Sequence, residues 1–473
     1  MRSRLAVVAV ALFAVTGCGG GGGVGEKTSE SEPAGASLVG ADVPVFIAAT
    51  TDEDSDQWKK ADALLKKFPG REQLLASIRK ELSQEGVDFE RDILPALGPE
   101  VDFAIFDLQD AGNSAVGMTK PDDPDKLVDL LHKGDDPPKV IKKRDDGWVV
   151  FSDSQTAVDQ IGAEGDKLAD DSDYEDALSK LPEESLASAW VDGKAAVQAI
   201  KDQSPGTNLG QLDKLQWAAA AVEARDDGAA VEIAAKGLYQ NVETFKSSLL
   251  DKVPADTLLF GAFKGLDKSL ANIDQQVGPA GGIVESFLGV RLSDLAALFS
   301  GEGALFARAG TPLPEITLAL DDQNAHAKLA TLDKLAAKAV ASFGASGPTP
   351  VTVEGSNLKE LRFGPVAVLY GLAKGWIVVT DTRNALHDLS GGGGSFLADE
   401  DTFKAAKDAA GMPDDTNGFV YVNLKDAIAE ISGLAGESIP PDVAGNLRPL
   451  RTLLFYSTND GDVADLKLFV EIK

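Results

Sequence analysis

Hydrophobic and polar positions change period several times along the chain, and each change marks an element. Trp58, Ala61, Leu64, Leu65 and Phe68 recur at helical spacing until Pro69-Gly70 stops the run. Leu74, Leu75, Ile78 and Leu82 then begin a second amphipathic helix. Strand patterns follow. Val101 to Leu108 and Ser114 to Thr119 read as partners around the turn-forming Asp110-Ala111-Gly112-Asn113. Val140 to Lys143 and Trp148 to Phe151 flank Asp145-Asp146-Gly147, where Asp-Gly favours a primed turn. Phe363 to Leu372 and Trp376 to Thr380 flank Ala373-Lys374-Gly375 in the same way. Trp217 to Ala224 with Ala229 to Ala235, and Thr452 to Thr458 with Val463 to Ile472, complete two more hairpins.

The pattern occurs twice. Residues 146–161 read DGWVVFSDSQTAVDQI and residues 374–389 read KGWIVVTDTRNALHDL, which aligns Trp148 with Trp376 and Asp153 with Asp381. Asp92-Ile93-Leu94-Pro95-Ala96-Leu97 corresponds to Ser293-Asp294-Leu295-Ala296-Ala297-Leu298. Asp173 to Ala177 corresponds to Asp401 to Ala405, and Asp226-Asp227-Gly228 to Asn459-Asp460-Gly461. The order is kept throughout, so the body reads as two homologous domains, 38–240 and 251–473. Short turns make neighbouring strands antiparallel, because parallel neighbours need a long crossover. The expected fold is α+β: in each repeat, helices cover one face of a hairpin-built antiparallel sheet.

Composition narrows the function classes. The 473 residues hold 45 basic and 75 acidic side chains, a net charge of −30. Such a surface repels phosphate backbones, which argues against nucleic acid as a partner. One cysteine and three histidines (His132, His326 and His387) supply neither a disulfide framework nor a Cys/His metal cluster.

The single cysteine ends an N-terminal signal. Arg2 and Arg4 precede the apolar run Leu5 to Val15, and Val15-Thr16-Gly17-Cys18 closes it. About eleven apolar residues are too few to span a bilayer, so a secretory signal fits. The arrangement resembles a bacterial lipobox. That resemblance implies cleavage after residue 17 and lipid on the Cys18 thiol, with palmitate among the expected chains. An ordinary signal peptide with a chance cysteine, or a weak membrane anchor, is the alternative. Gly19 to Gly23 and the Ser/Glu/Gly/Pro-rich 26–36 follow, so residues 18–37 read as a flexible tether. The expected location is extracytoplasmic, on the cell membrane. Removal of Arg2 and Arg4 leaves 43 basic against 75 acidic residues, a net −32.

Candidate chemistry is sparse. Ser152-Asp153-Ser154 and Thr380-Asp381-Thr382 each join a strand to a helix and suit N-caps better than a ligand site. Trp148 and Trp376 open strands, where packing under a helix is the plainer expectation than stacking on a sugar. Asp52, Asp54 and Asp56 alternate like the first ligands of a calcium loop, but Gln57 and Ala63 occupy its glycine and glutamate positions. Asp170-Asp171-Ser172-Asp173 fails likewise. No GxSxG, HExxH or GxxxxGK[ST] motif occurs, so no catalytic residue, cofactor or metal is expected. Ser390 and Ser395 bracket Gly391 to Gly394, which reads as a linker.

Val253-Pro254-Ala255-Asp256-Thr257, Leu94-Pro95-Ala96-Leu97-Gly98 and the Gly-Trp-aliphatic strand running into Ser152-Asp153-Ser154 resemble a bacterial extracytoplasmic family known as domain of unknown function thirty-three fifty-two. Ala96 stands where that family usually carries an aromatic residue. The resemblance supports the duplication and the location and implies no activity. The expected role is therefore binding, to an envelope protein or an envelope polymer. The alternatives are a two-lobed solute-binding lipoprotein closing on a small ligand, and an unrecognised hydrolase. Replacing Cys18 with Ser is expected to release the protein from the membrane fraction. Retention of that variant in sedimented membranes would overturn the lipid anchor.

Overall fold

The computed structural model describes residues 32–84, 86–133, 136–238, 243–268, 285–311, 313–390, 394–434 and 439–473. Cys18 and Gly391 to Gly393 lie outside the described residues. The first repeat supplies β1 (Val45–Thr50), β2 (Glu100–Ile105), β3 (Ala115–Thr119), β4 (Val140–Lys143), β5 (Val149–Ser152), β6 (Ala187–Asp192), β7 (Trp217–Arg225) and β8 (Gly228–Lys236). The second supplies β9 (Thr257–Lys264), β10 (Glu302–Arg308), β11 (Glu315–Asp321), β12 (Ser346–Val353) and β13 (Ser356–Phe363). It continues with β14 (Val366–Ala373), β15 (Trp376–Thr380), β16 (Gly418–Asn423), β17 (Leu450–Asp460) and β18 (Val463–Ile472).

All these strands join one antiparallel sheet. From edge to edge the pairing runs β4, β5, β3, β2, β1, β6, β7, β8, and then β18, β17, β16, β9, β10, β11, β15, β14, β13, β12. The second half repeats the first in reverse order, with β12 and β13 added at the outer edge. The fold is thus α+β with two tandem homologous repeats. The repeats meet in the β8–β18 ladder, where nine residue pairs run from Gly228↔Glu471 to Lys236↔Val463. The matching turns Gly228 and Gly461 set an offset of 461 − 228 = 233, which carries Ile233 onto Leu466. These two residues are direct partners in the ladder, so an approximate two-fold axis passes through them.

Turn and cap chemistry explains the hairpins and helix starts. Gly147 has φ of 90° between β4 and β5, and Lys374 (53°) and Gly375 (83°) turn β14 into β15. Asp110 to Asn113 does not turn openly: Ala111–Ser114 forms a single helical turn. The run expected as one strand from Phe363 to Leu372 is split at Gly364-Pro365 into the ends of β13 and β14. Helices α1 (Asp56–Leu65) and α2 (Arg71–Gln84) lie where the apolar spacing places them. Ser55 caps α1 by accepting from the Trp58 N–H at 3.3 Å. The remaining helices used below are α3 (Pro124–Lys133), α4 (Gln155–Gln160), α5 (Ser172–Leu178), α6 (Gly193–Gln203), α7 (Leu292–Leu298), α8 (Ala325–Phe343), α9 (Asn384–Leu389), α10 (Asp401–Ala410) and α11 (Leu424–Leu434).

One sheet face carries the two main cores. Ala157, Val158, Tyr174 and Ala177 of α4 and α5 pack on Phe46, Ala104, Val150, Trp190 and Ala219. Leu386, Phe403 and Ala406 of α9 and α10 pack equivalently on Phe260, Phe306, Val378, Tyr421 and Leu454. The first core includes Ala36, Val39 and Val43, so chain order begins earlier than the tether reading to residue 37 allows. Small apolar side chains in a Ser/Glu-rich segment are enough to plug a core.

Charge is buried where the repeats meet. Glu232, only 5% exposed, sits between Arg225 and Lys467, each at 2.8 Å. Arg225 also donates to the Ala409 carbonyl at the end of α10 and lies over the Phe469 ring. Phe469→Ala removes a fully buried ring at this junction and is expected to lower stability by about 3–5 kcal/mol. Calorimetry should show one transition moving down as a unit, because the same ladder belongs to both repeats.

Candidate binding surface

The polar and aromatic residues weighed as candidates have structural partners. Ser154 caps α4 by accepting from Ala157 N–H at 3.3 Å, and Ser152 Oγ bonds the Ala115 carbonyl at 2.7 Å. The second copy diverges. Helix α9 has no side-chain cap; Asp381 instead accepts from Ile316 N–H at 2.8 Å, and Thr382 Oγ1 bonds Glu315. Trp148 and Trp376 are each 7% exposed inside the two cores. Asp52 accepts from Asp54 N–H, and Asp171 accepts from Asp173 and Tyr174 N–H at the start of α5, so both acidic runs organise local turns. Among the described residues no group of three or more His, Cys, Asp or Glu side chains is arranged to hold a metal ion.

The unexpected feature is the other face of the sheet. Successive strand residues point to opposite faces, so direct partners across strands share a face. Ala230, Phe469, Leu454, Tyr421, Phe260 and Phe306 form one row on the helix-covered face, all fully buried. The neighbouring row on the opposite face reads Val222, Val231, Leu468, Phe455, Val420, Gly261, Leu305 and Leu318. A second opposite-face row reads Phe103, Ile47, Ala189, Ala220, Ile233, Leu466, Ser457, Gly418 and Phe263. These rows are apolar almost throughout, yet Val222, Ile233 and Leu305 are 40–41% exposed and most of the others are half-buried.

Helices enclose this face without covering it. Leu127 and Leu131 of α3 close one end against Val149. The helices α7 and α8 close the other end, over Leu320 and Ile377. Along one flank, Trp58, Ala61 and Leu64 of α1 pack on Ala224 and Ile472. The floor between spans the ten strands from β2 to β10 in sheet order, roughly 40 Å at about 4.8 Å per strand. Helices α6 and α11, equivalent in the two repeats, cross the strand ends. Asp202 of α6 accepts from Gln109, and Glu430 of α11 accepts from Gly310 N–H at 3.1 Å. Ile200 and Ile431 occupy matching positions on these helices, and both are exposed.

The polar features elsewhere are internally balanced. A cavity of about 360 Å³ is lined by Asp401, Asn423, Lys425, Asp426, Arg451 and Glu471. Glu471 is held there by Thr452 and Lys473, Asp426 by Asn423, and Arg451 by the Leu450 carbonyl. At the junction, burial pushes the Tyr456 hydroxyl up to about 12, and that hydroxyl donates to the Ala410 and Gly411 carbonyls. Burial likewise raises Asp465 above the usual carboxylate range. Sequence reasoning missed the open face because it followed each strand's inward residues. The signal was present in Trp217 to Val222, whose alternate positions are apolar on both sides.

No curated relative matches the chain. Two solved structures, crystal forms IV and I of TP0453, are similar at 11% and 12% identity. The first likeness covers 57% of this chain and 97% of that one, with a TM-score of 0.23. The second covers 44% and 80%, with a TM-score of 0.21. Likeness at this level carries no argument about this chain. The family model described as "Protein of unknown function (DUF3352)" matches residues 5–128 and 126–459, nearly the whole length, and the chain belongs to that family.

Proposed function

We propose that the chain is an extracytoplasmic lipoprotein, held on the membrane through Cys18, that works by binding and offers the open sheet face to an apolar, acyl-bearing component of the envelope. The observation that supports this most is the chemistry of that face. Over seven adjacent strands its two central rows contain one polar side chain, Ser457. A protein partner normally makes about one hydrogen bond per 100–200 Å² of interface, and this floor has almost nothing to make it with. Hydrocarbon needs no such partner, and its transfer from water contributes about 0.8 kcal/mol per buried CH₂. The floor also lacks titratable groups to move a proton, which favours binding over hydrolysis there.

Two lobes closing on a small solute fit less well. Closure needs a hinge between halves, whereas here nine ladder pairs and the Glu232 charge cluster cross the junction. Titration of the purified mature protein with cis-parinaric acid, a fluorescent acyl chain, tests the proposal. Saturable enhancement is expected. The double variant Val222→Lys/Ile233→Lys should weaken it at least about tenfold, about 1.4 kcal/mol, with unchanged far-ultraviolet circular dichroism. Equal binding by wild type and variant, or no saturable binding by the wild type, would overturn it.

A further inference from the structure

A second unusual site lies in the first core, where the tether meets the folded body. Asp102 of β2 is fully buried, and neither of its carboxyl oxygens has a hydrogen bond of normal geometry. The Tyr174 hydroxyl, also buried, is without a partner too. Over Asp102 lies the single 3-10 turn Ala34–Ser37, the first element after the tether. Its Ala34 N–H donates to Glu100 Oε1 at 2.9 Å. Gly35 presses its Cα so closely onto Asp102 that a Cβ there would stand 2.1 Å from Oδ2.

The charges around this turn are nearly all of one sign. Glu100 acts on Asp102, Asp170 and Glu175 act on Glu32, and Glu32, Asp102 and Glu100 all act on the neutral Tyr174 hydroxyl. Among the described residues no lysine or arginine forms an ion pair with Glu100 or Asp102, and cations of the same repeat are engaged elsewhere. Lys167 donates to the Ala163 carbonyl, Arg144 holds Asp146 and the Ile161 carbonyl, and Lys194 holds Asp173. A buried carboxyl beside a second one is relieved of charge by binding a proton.

We infer that the buried Asp102, with Glu100 two residues before it, carries a proton in the folded protein, and that this proton lets the turn Ala34–Ser37 stay down as a latch on the tether. Burial raises Asp102 well above the usual carboxylate range and raises Glu100 with it. A group whose folded value is raised stabilises the closed form fully below its unfolded value, near 3.8, and loses that contribution as pH rises through the folded value. Deprotonation leaves two anions under the turn that, among the described residues, only backbone N–H groups of the turn face, too little to offset burial of the second charge, and the turn opens. Opening lifts the small Ala36 side chain out of the core and stops near Leu38, because the larger Val39 and Val43 stay packed there. Freeing about six residues lengthens the tether by roughly 20 Å at about 3.4 Å per residue. A shift toward alkaline pH thus lets the body stand further from its anchor.

Amide hydrogen exchange on the purified mature protein tests this, at about pH 4 and about pH 8 with intrinsic exchange rates divided out. Protection of the Ala34–Leu38 amides is expected to fall at least about tenfold at the higher pH, while β7 amides stay protected. Asp102→Asn keeps the shape and removes the charge, so its latch should stay protected at both values. If that variant does not fold, Glu100→Gln, at a half-buried position, carries the same expectation. Wild-type protection that is equal at the two values, or an undiminished pH dependence in the folded variant, would overturn the latch.

Discussion

The ladder between β8 and β18 is the constraint on which the rest depends. Each repeat ends in a hairpin whose last strand would otherwise present a free row of N–H and C=O groups. Pairing the two free edges satisfies both rows at once, and antiparallel pairing of like strands generates the two-fold relation through Ile233 and Leu466. The same ladder draws Glu232 out of water, which is tolerable only because Arg225 and Lys467 reach it from either side. It also makes one wide floor out of two narrower sheets. The outer edges of the sheet are blunted differently. β4 is four residues long and ends in the exposed Lys142 and Lys143, while β12 carries Pro348 and Pro350. Lysine and proline both discourage further strands from adding there.

The width of the joined sheet creates the open face. An antiparallel sheet commonly buries one face and shows water the other, and the second face is then polar. Here both faces are apolar, but the covering helices α4, α5, α9 and α10 pack on one of them. On the other, α3 and the α7–α8 pair are placed at opposite ends and α1 on a flank. Folding alone does not require Val222, Phe455, Leu468 and Leu305 on a wetted face. Polar residues at these alternating positions would leave the covered core unchanged and make the surface more soluble. Their presence on adjacent strands from both repeats is what supports the proposed binding role.

Much of the architecture is legible in the sequence because its signals are local. Asp-Gly and Lys-Gly turns fix the hairpins, helical spacing fixes α1 and α2, and the repeated Gly-Trp segment fixes the duplication. What is not legible depends on distant partners. Nothing near Ala229 to Ala235 announces that its free edge pairs with residues 463–471. β12 is hidden because Pro348 and Pro350 argue against a strand until an edge position is available for them. The cap at Ser154 follows from its sequence, whereas Thr382 is diverted to Glu315, which arrives from β11 far along the chain. Composition also hides the turn Ala34–Ser37, which looks like linker until its packing over Asp102 is seen.

The large negative charge takes its meaning from the open face. An exposed apolar floor roughly 40 Å long invites a second copy of the same floor, and hydrophobic association alone would favour such a pair. Two copies, each at the chain's net charge of −30, repel one another over about a Debye length, some 8–10 Å, which opposes face-to-face approach. An uncharged acyl chain meets no such barrier, whereas an anionic bilayer surface does. The acidic exterior discourages self-association and adsorption to anionic headgroups, which fits the proposal that a hydrocarbon presented singly occupies the floor. On this reading charge and apolarity are one device, in which the residues that bind nothing decide what the floor is free to bind.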